Sequence, residues 1–305
     1  MPAIITHHLF GEDAAKLLPE GVLSGEEELL AFLLGNQGPD PYFSCFSTLP
    51  ERATRCHRFA ARMHDEKIVE AFWAMREAVR HLREEDARVG MAFVLGFLGH
   101  YALDSTAHPM VYAQEAALGQ ADPELVRAAE DVHAVIESDL DVWMLRELRG
   151  QTVADVATSS FLAHTDRVLR VAGALLAQVA LQVFDEEVGV GEYACAVADY
   201  QFLYRAIDPA ENPVMRLGAT LERLARPHSH LRAMAHHLSV DEDCPSANLA
   251  RRAWVDPKDG ATRTESFPDL YHEALERWDR LVRPLVQGDR AAFELACGDR
   301  NYNGR

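Results

Sequence analysis

His100, Asp104 and His108 stand four residues apart in the run Gly99-His100-Tyr101-Ala102-Leu103-Asp104-Ser105-Thr106-Ala107-His108-Pro109. An α-helix turns once every ~3.6 residues, so positions i, i+4 and i+8 share one stripe. Two imidazoles and a carboxylate therefore project from one face of one helix. Helical metal sites use this spacing to aim several ligands at a common point. Polar groups on an otherwise apolar stripe also need partners, and a metal ion satisfies all three. By composition, on the order of 0.1 such triples is expected in a chain of this size, so chance is a poor explanation. His133 and Glu137 repeat the i, i+4 step. That pair alone is weak, because His8/Glu12, His81/Glu85 and His272/Glu276 share its spacing and the chain has 14 histidines.

Other groups of the same chemistry lie upstream: Thr6-His7-His8, Asp40 in Gly38-Pro39-Asp40-Pro41, and His64 after Met63. Each also has an ordinary reading. Asp40 suits a turn, His64 suits a helix end as a cation, and His7 and His8 sit near the chain start. His228, His230, His236 and His237 form a further cluster whose spacing defines no metal site and fits a polar surface loop. Phe10, Tyr42, Phe43, Phe46 and Trp73 suit a core, with a substrate pocket as the alternative.

The elements that must hold these residues are helical. Ala, Leu, Glu and Arg dominate long stretches and strand-like alternation is scarce. Helices are predicted at about 26–34, 52–63, 65–84, 87–107, 122–148, 154–184, 190–206 and 210–225. Gly35 to Pro41 reads as a loop, and Asp122-Pro123-Glu124 as a helix start with Pro at its first position. Between 226 and 266, Pro227, Pro245 and Pro257 punctuate a polar stretch. The expected fold class is all-α. Residues 1–225 would form a helical metal-dependent domain, and 226–305 an irregular connector and C-terminal helix, at about 269–285, packed on it.

The 305 residues are 48% hydrophobic, enough for a full core. A net charge of −18 and the lack of a basic stripe argue against a duplex nucleic-acid binder. Bound divalent metals would make one site electropositive despite that acidic exterior. Cys45, Cys56, Cys195, Cys244 and Cys297 have no C-x-x-C spacing and make an odd count, so no disulfide framework is expected. The start has no basic region followed by a long apolar run, and no segment has ~18–20 uninterrupted apolar residues. The expectation is a cytoplasmic protein without stable membrane insertion.

The ordered set Thr6-His7, Gly38-Pro39-Asp40, Met63-His64, Gly99-His100 through Asp104 to His108-Pro109, and His133 with Glu137 resembles the zinc-dependent phospholipase C family. That family shares its fold with the fungal single-strand zinc nucleases. Asn248-Leu249, Trp254, Pro257, Ser266-Phe267 and Leu270-Tyr271 also look like the tail of bacterial relatives. The resemblance implies an all-α fold around a zinc cluster of two or three ions. It implies Asp40, His64, His100 and Asp104 at one zinc, and His108, His133 and Glu137 at another. His7, preferred to His8, would serve a third zinc, with Asp104 bridging the first and third. Asp40 is implied as general base as well as ligand. Two departures stand out. The secreted enzymes place an N-terminal tryptophan on the third zinc where this chain has Met1-Pro2, and their step corresponding to Asp104–His108 is longer.

The implied activity is hydrolysis of a phosphoester by metal-activated water, which zinc supplies by lowering the water pKa to ~7. The expected partner is a small phosphoester or phospholipid substrate. Alternatives are a nuclease or nucleotidase on the same cluster, and a non-catalytic metal-binding helical protein.

Overall fold

One long helix organises the fold: α5 (Glu84–Ala121), buried almost continuously from Val89 to Val111. Glu84, Glu85 and Asp86 in its first turn complement the helix dipole. Its middle is apolar on nearly every side, and such a helix must be surrounded. The computed structural model describes residues 4–238 and 243–305. Among these residues the fold is all-α, with twelve α-helices and one two-residue antiparallel ladder, Trp254–Val255 with Thr262–Arg263.

α2 (Glu26–Gly35) crosses α5 backbone to backbone. A Cβ on Gly96 would stand 1.9 Å from the Phe32 carbonyl oxygen, so no larger residue fits this crossing. α11 (Phe267–Gln287) covers another side, where the Trp278 indole donates to the Leu95 carbonyl at 3.0 Å. Ser266 and Asp269 form a capping box at the start of α11, and Gly288 ends it in the left-handed region. α1 (Ile4–Ala15) and α6 (Ala129–Arg149) flank the stripe that carries His100, Asp104 and His108. α3 (Pro50–Asp65) and α4 (Ile68–Val79) follow the Asp40–Ser44 3₁₀ turn, and α7 (Asp166–Phe184) and α8 (Glu192–Ile207) complete the bundle. α9 (Pro213–Glu222) and the short α10 (His230–Met234) lead through an irregular stretch to α11 and then α12 (Arg290–Cys297). Among the described residues, α7 is long and apolar enough to cross a bilayer. Half of it is buried inside the protein, where it contacts α4, α5 and α8.

Several predicted boundaries move. α1, where no helix is predicted, is a buried helix. Its Leu9 and Phe10 enter the core, as expected of Phe10. α5 continues fourteen residues past 107 and passes through Pro109. A proline removes one helical hydrogen bond, which a helix held on all sides tolerates. Asp122 therefore ends α5 rather than starting α6: its side chain accepts from the Glu124 amide at 3.0 Å and a 3₁₀ turn intervenes. The expected 154–184 helix is instead the Thr158–Leu162 3₁₀ turn followed by α7, capped by the Thr165 hydroxyl. α12 is a further helix beyond the single one expected at the C-terminal end.

Candidate metal centre

The i, i+4, i+8 stripe is real in three dimensions. His100, Asp104 and His108 project from α5 into one buried site, and residues from four other segments meet them there. α1 brings His7, whose Nε2 is 3.1 Å from Asp104 Oδ1. The 3₁₀ turn brings Asp40, and the last turn of α3 brings His64, with His64 Nε2 3.1 Å from Asp40 Oδ1. α6 brings His133 and Glu137; His108 Nε2 and His133 Nε2 each lie 3.2 Å from Glu137 Oε1. His100 Nε2 is 3.1 Å from Asp104 Oδ2 and 3.7 Å from Asp40 Oδ1. Asp104 also lies 3.9 Å from His64 Nε2 and 3.7 Å from His108 Nε2, at the middle of the constellation.

Three groups emerge in which ligand atoms lie within 4.8 Å of one another: Asp40/His64/His100, His7/His100/Asp104, and His108/His133/Glu137. All eight residues expected at the metals are brought together. His100 Nε2 lies within reach of two of these groups, but with Nδ1 donating to Asn36 it can ligate one ion, whereas the two oxygens of Asp104 can face two. His8 points elsewhere: its Nδ1 donates to the Phe161 carbonyl at 3.2 Å and its Nε2 faces Glu12 at 3.4 Å. One step along a helix is a rotation of about 100°, which separates these neighbours. Met1 to Ala3 lie outside the described residues.

The donor set fits a metal on its own geometry. The imidazoles of His64, His100 and His108 donate through Nδ1 to the carbonyls of Ala60, Asn36 and Tyr302, at 2.8, 3.1 and 2.9 Å. His133 Nδ1 faces Glu115 Oε2 at 3.3 Å. Orienting one ring nitrogen leaves Nε2 as a lone-pair donor, the usual arrangement around metal-bound histidine. Asp40 Oδ1, His64 Nε2 and His100 Nε2 are buried and make no aligned hydrogen bond. Native interiors rarely leave such atoms orphaned. Ligands of a tetrahedral zinc, ~2 Å from its centre, stand roughly 3.3 Å from each other, close to the separations here. A cavity of about 20 Å³ adjoins them, lined by His7, Asp104, His108 and Glu137. That is room for little more than a single water-sized occupant.

Charge is balanced by proximity. Burial alone would raise the Asp104 pKa, but His100, His108 and His7 hold it well below the usual carboxylate range. Asp40 is lowered too, His100 and His64 outweighing its burial. Burial would depress His133, yet Glu137 and Glu115 push it up to about 9. His64 is likewise raised against its burial by Asp40 and Asp104. The carboxylates stay anionic and draw protons onto imidazoles, places a divalent cation would take.

Gly38 makes room for the centre. It has φ +53, and a Cβ there would sit 2.2 Å from His100 Cδ2. Sequence reasoning missed the chain's last turn. The Tyr302 ring packs 5.0 Å from His64 and 5.6 Å from His100, and its amide donates to the His64 carbonyl at 3.0 Å. The Tyr112 hydroxyl donates to Asn303 Oδ1 at 2.6 Å while its ring packs on His108 and His133. No spacing pattern connects residue 302 with residue 64. Asp141 had a readable signal that went unused: it extends His133 and Glu137 to i, i+4, i+8 on α6.

The aromatic candidates divide. Phe10 and Tyr42 are core, Phe43 packs against His64, Phe46 is exposed beside Phe202, and Trp73 lies under Arg76 and Arg290. None of the five lines the large cleft next to the site. In the histidine cluster downstream, His236 is fully buried between Asp141 and Asp208, whereas His237 is partly exposed.

An all-α bundle thus encloses three adjoining His/carboxylate groups, each of a kind that could hold a metal ion. The zinc-dependent phospholipase C family model matches residues 6–177, more than half of the chain and all eight site residues. The chain belongs to that family. Family and site together support a zinc hydrolase. Searches of curated proteins and of solved structures return no match.

Proposed function

We propose that this protein hydrolyses phosphoester bonds in the manner of a phospholipase C, with two or three zinc ions. The observation that carries the reading is the convergence of three His/carboxylate groups in one buried site, with Asp104 within 4 Å of His7, His64, His100 and His108. Asp40, His64, His100 and Asp104 would hold one ion, His108, His133 and Glu137 a second, and His7 with Asp104 a third. Bound zinc supplies hydroxide at neutral pH and offsets charge on phosphoryl oxygens.

The chain's own residues supply the rest. Asp40 faces His64 and His100 through Oδ1; holding the ion by that oxygen, it would leave Oδ2 to accept a proton as general base, the role the family resemblance implies. Tyr112 packs on His108 and His133 and also lines a cleft of about 1110 Å³. Val132, Ile136 and Trp254 give that cleft apolar walls, and Arg232 and Arg252 add cationic groups alongside the carboxylates of Asp131 and Asp139. This lining suits a phosphodiester whose apolar portion lies in the cleft and whose phosphorus lies toward the Tyr112 end.

The test is a panel of diacyl phospholipids in micelles, bis-p-nitrophenyl phosphate, phosphomonoesters, nucleotides and single-stranded oligonucleotide. Zinc-loaded protein should cleave a phosphodiester, with loss of activity on chelation and in His64→Ala and Glu137→Gln. Preference for oligonucleotide would favour the nuclease alternative. Tight zinc without turnover on any member would leave a metal-binding protein and end the hydrolase reading.

A further inference from the structure

We propose that a buried Asp208–His236–Asp141 relay is a positioning device that sets α1, and through it His7, against Asp104. The proposal rests on the metal reading above. It concerns three residues outside the eight candidate ligands.

The first amides of a helix have no partner within it. In α1 the Ile5 and Thr6 amides donate to Asp141 of α6, at 3.0 Å to Oδ2 and 2.8 Å to Oδ1. A carboxylate here also meets the positive end of the helix dipole. Asp141 is fully buried and would be costly there without a counter-charge. His236 Nε2 supplies it from 3.1 Å, and His236 Nδ1 faces Asp208 Oδ2 at 2.7 Å. The His236 amide also donates to Asp208 Oδ1 at 2.9 Å, and Thr158 donates its hydroxyl to Asp208. Both ring nitrogens point at carboxylates, so the ring is geometrically suited to carry two protons. Tyr204 stacks on it at 5.4 Å and 17°.

His7 is the one ligand candidate that needs such help. His64, His100, His108 and His133 each have an Nδ1 partner that orients the ring. His7 Nδ1 is buried with no hydrogen-bond partner. Its ring is placed by its helix, by stacking on His100 at 4.1 Å, and by Asp104. Glu137 and Asp141, one turn apart on α6, therefore do different work: one lies in a metal group, the other fixes the helix that carries His7. Buried ion networks generally stabilise no better than apolar packing of equal volume. A role in register accounts for this one.

The experiment compares wild type with Asp141→Asn, His236→Gln, His7→Ala and the Asp141→Asn/His7→Ala double variant. All are measured well below their melting temperatures. Two readouts apply: amide exchange at Ile5 and Thr6 in metal-free protein, and zinc stoichiometry and affinity by chelator competition. We expect Asp141→Asn and His236→Gln to speed exchange at these amides. We expect both to weaken one zinc by about 10- to 100-fold, as loss of an orienting partner does. His7→Ala should remove the same ion, and the double variant should bind no worse than His7→Ala. Unchanged zinc binding in Asp141→Asn would overturn the proposal, as would an additive loss in the double variant or a His7→Ala protein with wild-type zinc binding. Absence of phosphoester hydrolysis with the expected zinc pattern would sink the proposed function and leave the relay standing.

Discussion

Replacing Gly38 by alanine tests the centre through one methyl group. Two costs can be worked from the structure. Gly38 has φ +53, a left-handed conformation that costs a non-glycine residue about 1–2 kcal/mol. The following Pro39 disfavours helical backbone at position 38 further. The added Cβ would sit 2.2 Å from His100 Cδ2 and 2.4 Å from Cγ, where ordinary contact is about 3.5 Å. The ring must retreat by roughly 1.3 Å, which breaks its Nδ1 bond to the Asn36 carbonyl, a further ~1 kcal/mol. Gly260 is the control: it has φ +70, but nothing lies within 4 Å of its would-be Cβ. In urea denaturation of metal-free protein, Gly260→Ala should cost about 1–2 kcal/mol and Gly38→Ala about 2–3 kcal/mol. Because His100 is a ligand candidate beside Asp40 and His64, Gly38→Ala should also lose zinc by elemental analysis, while Gly260→Ala keeps its full complement. Equal stability losses with full zinc in both variants would refute the reasoning.

Three further outcomes follow from the same geometry. His8→Ala should leave zinc content unchanged while His7→Ala loses one ion, since His8 faces Phe161 and Glu12; equal losses would reverse the assignment. Removing Asn301–Arg305 takes away the acceptor for His108 Nδ1 and should weaken zinc by about 10- to 100-fold in chelator competition. Tyr302→Phe, which keeps ring and carbonyl, should bind as wild type. Finally, burial would depress His236, but Asp208 and then Asp141 push it up to about 10. Its ordinary value is ~6.5, so the folded protein keeps a proton that the unfolded chain releases above that pH. This contribution is full below about pH 6.5 and is lost as pH rises toward 10, by at most ~1.4 kcal/mol per unit. Denaturation midpoints at pH 6.5, 8 and 9.5 should show a flatter alkaline fall in His236→Gln than in wild type; parallel slopes would rule the effect out.

The site was more legible in the sequence than the segments that support it. His100, Asp104 and His108 were readable because one helix fixes their geometry, and a 3.6-residue period is visible in one dimension. His7, Asp40 and His64 had no such local logic and became candidates for one centre only through resemblance to a family. Asn36 and Ala60 orient His100 and His64 through backbone carbonyls, and Tyr302 does the same for His108, contacts that side-chain type does not signal. Helix boundaries failed where tertiary contact outweighs local preference. α5 runs through Pro109 because helices enclose it, and α1 is a helix although its sequence has no first-turn acid and little amphipathic pattern. His236 read as one of several loop histidines. Only the fold places it between Asp141 and Asp208.

The central claim is that zinc occupies the shared His/carboxylate centre. Diffraction from zinc-loaded crystals on both sides of the zinc absorption edge tests it most directly. Anomalous density should lie within Asp40/His64/His100 and within His108/His133/Glu137, with any third peak at His7/His100/Asp104 and none at His228, His230 or His237. Zinc-replete crystals with no peak in the first two groups, or with their zinc bound elsewhere, would contradict the account.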